Sequence, residues 1–206
     1  MEGGEWIFVF GFCLPLAQKA PFMSLIAVVY HSGYGHTQRL AQAVADGADA
    51  QLIAIDADGN LPEGGWDTLL AAKAIILGSP TYMAGPSWQF KKFADASSKP
   101  WFNQAWKDKL FAGFTNSASP NGDKQITLDY LFHLAMQHGG LWVGAGTLPS
   151  NAKAATRSDV NWLGAFSGAM AQSPSDASAA EMFAGDLETG RLLGQRVAAV
   201  AARLGA

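Results

Sequence analysis

From Leu25 onward the sequence alternates short β-favouring apolar runs with stretches of helical periodicity, and that alternation leaves few folds open. Leu25-Ile26-Ala27-Val28-Val29-Tyr30 has no polar side at all, as expected of a strand covered on both faces. The pattern predicts a helix over Thr37–Ala48, a second strand over Gln51–Ile55, a turn-rich passage to Asp67 and a short helix around Leu69. Ala74–Ser79 reads as the third strand. Pro86 is placed as the first residue of the next helix, which continues through Phe90 and Phe93. Leu110–Phe114 is the fourth strand, Ile126–Gln137 a helix and Gly140–Gly144 the fifth strand. A long irregular stretch from Ala145 to Ser178 then leads into a last helix, Ala179–Leu204. Strands alternating with helices imply a doubly wound, five-stranded parallel α/β sheet of order 2-1-3-4-5, with helices on both faces.

The 206 residues suit one domain, and with 49% hydrophobic residues the chain can build one well-buried core. A net charge of −3 gives no electrostatic reason to expect nucleic acid or membrane insertion. The single cysteine, Cys13, excludes an internal disulfide and a multi-cysteine metal site, and a reducing cytoplasm fits best. Residues 1–22 read as an N-terminal extension before a domain spanning 23–206. The apolar run Trp6–Ala17 is too short to cross a bilayer, and Glu2 and Glu5 stand where a signal peptide carries basic residues. Met23 is taken as the natural start. A segment packed on the surface or on a partner subunit is the alternative.

Doubly wound sheets bind ligands beyond the carboxyl ends of their strands. The loops after strands one, three and four therefore matter most. Ser32-Gly33-Tyr34-Gly35-His36-Thr37 leads from a strand into a helix. Its hydroxyls, backbone N–H groups and helix dipole suit a phosphate. It lacks the Walker lysine, and Gln38 replaces the third glycine of a dinucleotide fingerprint. In Ser79–Pro86, Pro80, Thr81, Tyr82 and Met83 offer a stiff backbone, an aromatic face and a soft sulfur against which a flat heterocycle could lie. The third loop, Thr115-Asn116-Ser117 through Gly122-Asp123, carries small polar residues suited to ring carbonyls and nitrogens.

At these residues the chain resembles the flavodoxin-like NAD(P)H:quinone oxidoreductases, the family named after tryptophan-repressor-binding protein (WrbA). The likeness rests on Ile26–Thr37, Ala74–Tyr82, Gln137-His138-Gly139-Gly140 and Ser173-Pro174-Ser175. It implies flavin mononucleotide (FMN), with its phosphate at Ser32, Gly33, Tyr34, Gly35, His36 and Thr37. The ring would be bordered by Pro80, Thr81, Tyr82 and Met83, with further contacts from Thr115, Asn116, Ser117 and Gly122. It also implies NADH or NADPH as co-substrate, a quinone-like acceptor, a substrate pocket near Trp101 and Tyr34, and a homodimer or homotetramer. His138 matches a histidine near the flavin, often contributed beside a neighbouring subunit's site, where it could protonate a quinone; a helix-end histidine satisfied by backbone is the other reading.

Three departures stand out. The third loop is not a glycine run, Tyr82-Met83 replaces Arg-Phe, and the region between strands two and three is short. Among the tryptophans, Trp66, Trp88, Trp142 and Trp162 are expected in the core, and Trp101 and Trp106 near the flavin edge. The functional expectation is an FMN-dependent oxidoreductase carrying hydride from NAD(P)H to a quinone by a two-electron ping-pong route. The rival is a flavodoxin-type electron carrier, which a charge of only −3 disfavours.

Overall fold

The structure, a computed structural model, describes residues 6–9, 12–15 and 25–205. Of the proposed extension it describes only two strands, β1 (Trp6–Val9) and β2 (Phe12–Pro15), paired antiparallel; the rest of that segment lies outside the described residues. The central sheet begins with β3 (Ile26–His31) and β4 (Gln51–Ile55). It continues with β5 (Ala74–Tyr82) and β7 (Leu110–Ser117). All four run parallel in the order β4-β3-β5-β7. With the fifth position beyond β7, this is the 2-1-3-4-5 order expected.

That fifth position is filled twice. β8 (Leu141–Trp142) pairs with Leu110 and Phe111 at the start of β7, and β9 (Ala169–Gln172) pairs with Phe114–Ser117 at its end. The stretch expected to be irregular from Ala145 to Ser178 therefore contains a strand. Its sequence, Ala-Met-Ala-Gln, has weak β propensity, and pairing with β7 overrides it. Glycine is required just before it, since a Cβ on Gly168 would lie 2.2 Å from the Gly113 carbonyl oxygen.

Two apolar layers hold the sheet. Ile26, Val28 and Tyr30 of β3 pack beneath α1 (His36–Ala48) and α6 (Ala184–Leu204). Ala27 and Val29 face the opposite layer, against α3 (Trp88–Ala96) and α5 (Lys124–Gln137). Full burial of a Val- or Leu-sized side chain contributes about 1.5–3 kcal/mol, so these residues carry much of the fold's stability. Helices α1 and α6 cross at glycine. A Cβ on Gly194 would sit 2.0 Å from the Val44 carbonyl oxygen, and one on Gly47 would sit 1.9 Å from that of Arg191.

Two elements depart from the sequence expectation. Pro86 does not open a helix; it pairs with Thr81 in the short strand β6 (Gly85–Pro86), and Ser87 caps α3 by accepting from the Phe90 amide. The last helix is broken. A 3₁₀ turn over Ala179–Glu181, held by a Ser178–Glu181 capping box, precedes α6. No helix among the described residues is long and apolar enough to cross a membrane.

The β5–β6 hairpin turns on Met83 (φ 46°) and Ala84 (φ 61°), with Tyr82 facing Gly85. Two positive φ values are the mark of a type I′ turn, which normally takes Asn and Gly. Left-handed backbone costs an L-residue roughly 1–2 kcal/mol. Ala84→Gly is therefore expected to raise stability by about 1 kcal/mol in urea unfolding; no gain would show that the turn is not left-handed.

Candidate functional site

The three loops singled out in the sequence meet at the carboxyl edge of the sheet. Tyr34, His36, Thr37, Pro80, Tyr82, Asn116 and Ser117 line one cleft between them. The cleft forms because β3, β5 and β7 are adjacent and parallel, so their following loops emerge side by side.

The first loop fits a phosphate. Gly35 takes φ 88°, a conformation only glycine adopts freely, and it turns the chain into α1. The Ser32 hydroxyl accepts from the Gly35 amide at 3.1 Å. No side chain caps α1 and no acidic residue stands in its first turn, so its leading amides and positive dipole end are available to an anion. His36 is held otherwise than as a base. Its Nε2 lies 2.9 Å from the Ala177 carbonyl, which can only accept, so Nε2 carries a proton and ties the loop to the segment before the 3₁₀ turn.

The second loop crosses over the first. The Tyr82 hydroxyl oxygen lies 2.7 Å from where a Cβ on Gly33 would stand, so any larger residue at position 33 would push the Tyr82 ring aside. The Tyr34 and Tyr82 rings meet edge to face at 6.2 Å. Burial pushes the Tyr82 hydroxyl pKa up. Met83, at the hairpin tip, is fully exposed. Ser79 fixes the base of the hairpin: its hydroxyl accepts from the Ser87 amide at 3.0 Å.

Not every expected contact residue turns its side chain to the cleft. The hydroxyls of Thr81, Thr115 and Thr127 form a buried chain, with Thr81 Oγ1 2.8 Å from Thr115 Oγ1 and 2.7 Å from Thr127 Oγ1. Thr81 and Thr115 can therefore offer a ligand only backbone, while their side chains lock the ends of β5 and β7 to α5. Asn116 is held by Ser173, whose hydroxyl donates to Asn116 Oδ1 at 3.0 Å. Gly122 (φ 53°) stands behind the loop, where a Cβ would come within 2.2 Å of Ser117 Oγ.

His138, Trp101 and Trp106 lie elsewhere. α5 begins beside the cleft and runs back down the sheet, so His138 at its end reaches the edge where the strands start, near the Leu110–Leu141 pairing. Trp101 lies on that same edge, on α4 (Ser98–Phe102), and surface hollows beside it are also lined by His138. Trp106, expected near the flavin, is buried against Trp66, Phe93 and His138. Trp88, expected in the core, is 61% exposed. The hollows beside Trp101 lack the glycine turn and free helix N-terminus of the cleft. Within one chain, neither Trp101 nor His138 belongs to the cleft.

Ser97 and His138 settle the state of that histidine. The Ser97 hydroxyl donates to the Ala94 carbonyl at 2.6 Å, so it accepts from His138 Nε2 at 2.9 Å, leaving buried Nδ1 with no partner among the described residues. Burial lowers the His138 pKa from 6.5 to about 4. Between those two values the unfolded chain takes up a proton that the folded chain refuses. Stability is thus expected to fall as pH drops from about 6.5 to about 4. His138→Gln should flatten that slope in pH-dependent urea melts, leaving the smaller contribution of His31, whose pKa burial also lowers. An unchanged slope would refute it.

The sequence reading passed over Lys124, which is fully buried, and Asp186, which is 1% exposed. Both stand behind the cleft. Lys124 carried one signal: a cation as the first residue of a helix opposes the helix dipole and calls for a reason.

Comparison with known proteins agrees with this geometry. A family model described as NADPH-dependent FMN reductase matches residues 65–155. The chain is 56% identical over 182 residues to a flavodoxin, FldP, of Pseudomonas aeruginosa, covering 88% of this chain and 99% of that one. It is 32% identical to an NAD(P)H dehydrogenase (quinone) of Archaeoglobus fulgidus, covering 88% of this chain and all of the relative. The crystal structure of a WrbA-like flavodoxin from Agrobacterium tumefaciens shares 60% identity, with a TM-score of 0.73 over 88% of this chain and 98% of that one. An archaeal flavodoxin at 19% identity and a TM-score of 0.53 shares the fold. An anion cradle without a Walker lysine, a glycine-gated crossing of the first two loops and these relatives converge on one assignment: the chain belongs to the WrbA-like family of flavodoxin-fold FMN proteins.

Proposed function

We propose that the protein takes two electrons as hydride from NADH or NADPH and passes them to a quinone-like acceptor in a ping-pong sequence. FMN oxidoreduction is the activity of the family. The observation that carries the finer reading is an uncapped α1 N-terminus beside an edge that stays open, with Tyr34 80% exposed and Met83 fully exposed. Bound FMN would supply the ring that accepts and returns hydride. The chain supplies position: Ser32, Gly35 and the first turn of α1 hold the phosphate, and Pro80, Tyr82, Asn116 and Ser117 border the ring. Tyr34 and Tyr82 offer aromatic surface to a flat nicotinamide or quinone, each in turn at the same open edge. Support comes from relatives named NAD(P)H dehydrogenase (quinone), at 31% and 32% identity over nearly their whole length.

Trp101 and His138 enter this reading only if copies associate, since one chain holds them at the opposite edge of the sheet. In a homodimer or homotetramer His138 would stand beside a neighbouring site as a neutral ring at pH 7, because burial lowers its pKa to about 4, with its Nε2–H already held by Ser97. The test is anaerobic mixing of the FMN-loaded protein with NADPH, followed by benzoquinone. Rapid bleaching and recovery of the flavin absorbance, with steady turnover, is the expected result. The relative named flavodoxin favours a second reading, an electron carrier. Under it, NADPH alone leaves the flavin oxidised, and reduction requires a separate reductase.

A further inference from the structure

Lys124 is the most unusually placed charge among the described residues. It is fully buried, with 0% of its surface exposed, and it opens α5, where the positive end of the helix dipole repels it. Removing an ammonium from water costs several kcal/mol unless good partners replace the solvent. Its partners are neutral. Nζ donates to Ser119 O at 2.6 Å, to Pro120 O at 3.0 Å and to Ser117 Oγ at 3.0 Å, and it has no carboxylate within 4.0 Å among the described residues. The nearby negative charge is Asp186, and that carboxylate is already held by the two terminal guanidinium nitrogens of Arg157, at 3.0 and 2.7 Å. Two cations thus share one anion behind the cleft. Burial lowers the Lys124 pKa to about 8, with Asp186 opposing that shift and Arg157 adding to it, so the group is largely charged at pH 7.

All three contacts of Lys124 lie in the loop that closes the cleft. Ser117 lines the cleft itself, so the ammonium stands one hydrogen bond behind its wall. A trans peptide points its C=O and the following N–H in opposite directions. With the Pro120 carbonyl drawn to Lys124, the Asn121 N–H is turned to the other side of the loop. Gly122 completes the arrangement, because any Cβ there would displace Ser117 Oγ.

We propose that Lys124 is a positioning residue for FMN that also tunes it: its ammonium shapes loop 117–122 around the ring and places uncompensated positive charge behind it. Uptake of two electrons and one proton leaves the ring system with one negative charge. A buried cation nearby favours that reduced form and raises the two-electron potential. The inference rests on FMN binding, not on turnover with NAD(P)H, and its test is independent of both co-substrates.

The experiment compares wild type with Lys124→Met and Lys124→Gln. FMN affinity is measured by quenching of FMN fluorescence on titration with apoprotein, and the potential by equilibration with a reference dye. Lys124→Met loses donor and charge, and should bind FMN about tenfold more weakly or worse, with a more negative potential. Lys124→Gln keeps a donor for the loop. It should recover much of the affinity while keeping the negative shift, a separation that a merely structural lysine would not produce. Wild-type affinity and potential in a folded Lys124→Met variant would overturn the proposal. So would a Gln variant with an unshifted potential. If neither variant folds, wild-type holoprotein with ¹⁵N-labelled lysine decides. Reduction with dithionite must raise the titration midpoint of the Lys124 ammonium, and an unmoved midpoint overturns the proposal.

Discussion

Asp186→Ala is expected to destabilise the protein by roughly 3–5 kcal/mol, the cost of leaving a largely buried cation without its partner. The Asp186 carboxylate is 1% exposed and has several roles at once. It accepts from the two terminal guanidinium nitrogens of Arg157 and from the Gln172 amide at 2.8 Å, and it sits in the first turn of α6, where the helix dipole favours an anion. Arg157 is itself clasped between the rings of Trp162, at 4.9 Å, and Phe183, at 4.1 Å, so it cannot swing into solvent without giving up both. The same substitution strips Lys124 of its one nearby negative charge, so FMN affinity should fall together with stability. For a chain of this length the loss corresponds to a drop in Tm of about 10 °C or more. Thermal melts of apo and FMN-loaded protein check both effects. A melting point within about 2 °C of wild type would show that the Arg157–Asp186 pair does not hold β9 and α6 together. Replacing both partners, as in Arg157→Met with Asp186→Leu, should recover part of the loss, because no orphaned charge remains.

Gly194→Ala should destabilise by about 2–3 kcal/mol, although alanine in a helix interior is ordinarily favoured over glycine by about 1 kcal/mol. The sign is decided by the crossing of α1 and α6. The new methyl would stand 2.0 Å from the Val44 carbonyl oxygen and 3.0 Å from the Ala48 amide nitrogen. Both obstacles are backbone, so no rotamer change relieves them, and the helices must part. The cost should appear in the urea midpoint with little change in slope. A stabilised Gly194→Ala variant would mean that the helices do not approach this closely.

The strands that place the cleft were legible because they are buried on both faces and therefore read as unbroken apolar runs; Ile26–Tyr30 and Ala74–Leu77 are the clearest. The three loops were legible for a chemical reason, since glycines and hydroxyls at the carboxyl ends of neighbouring parallel strands must share one edge. β9 escaped because Ala-Met-Ala-Gln has no β signature of its own and is a strand only through β7. Pro86 misled because proline suits the first turn of a helix as well as a short edge pairing. Trp106 was misplaced because the aromatic residues that bury it, Trp66 and Phe93, are remote from it in the sequence. Lys124 could be read in the sequence but not interpreted there. Its meaning lies in the Ser119 and Pro120 carbonyls that fold back onto it and in the carboxylate that Arg157 has already taken.

The doubled fifth strand also bears on how the molecule behaves in a crowded solution. An outer strand with a long row of free amides and carbonyls invites another chain to add on and extend the sheet. Here that border is cut into a two-residue piece and a four-residue piece, with 26 residues of chain between them. Neither piece is long enough to template a visiting strand. The interruption in the sheet thus doubles as protection against aggregation along that side.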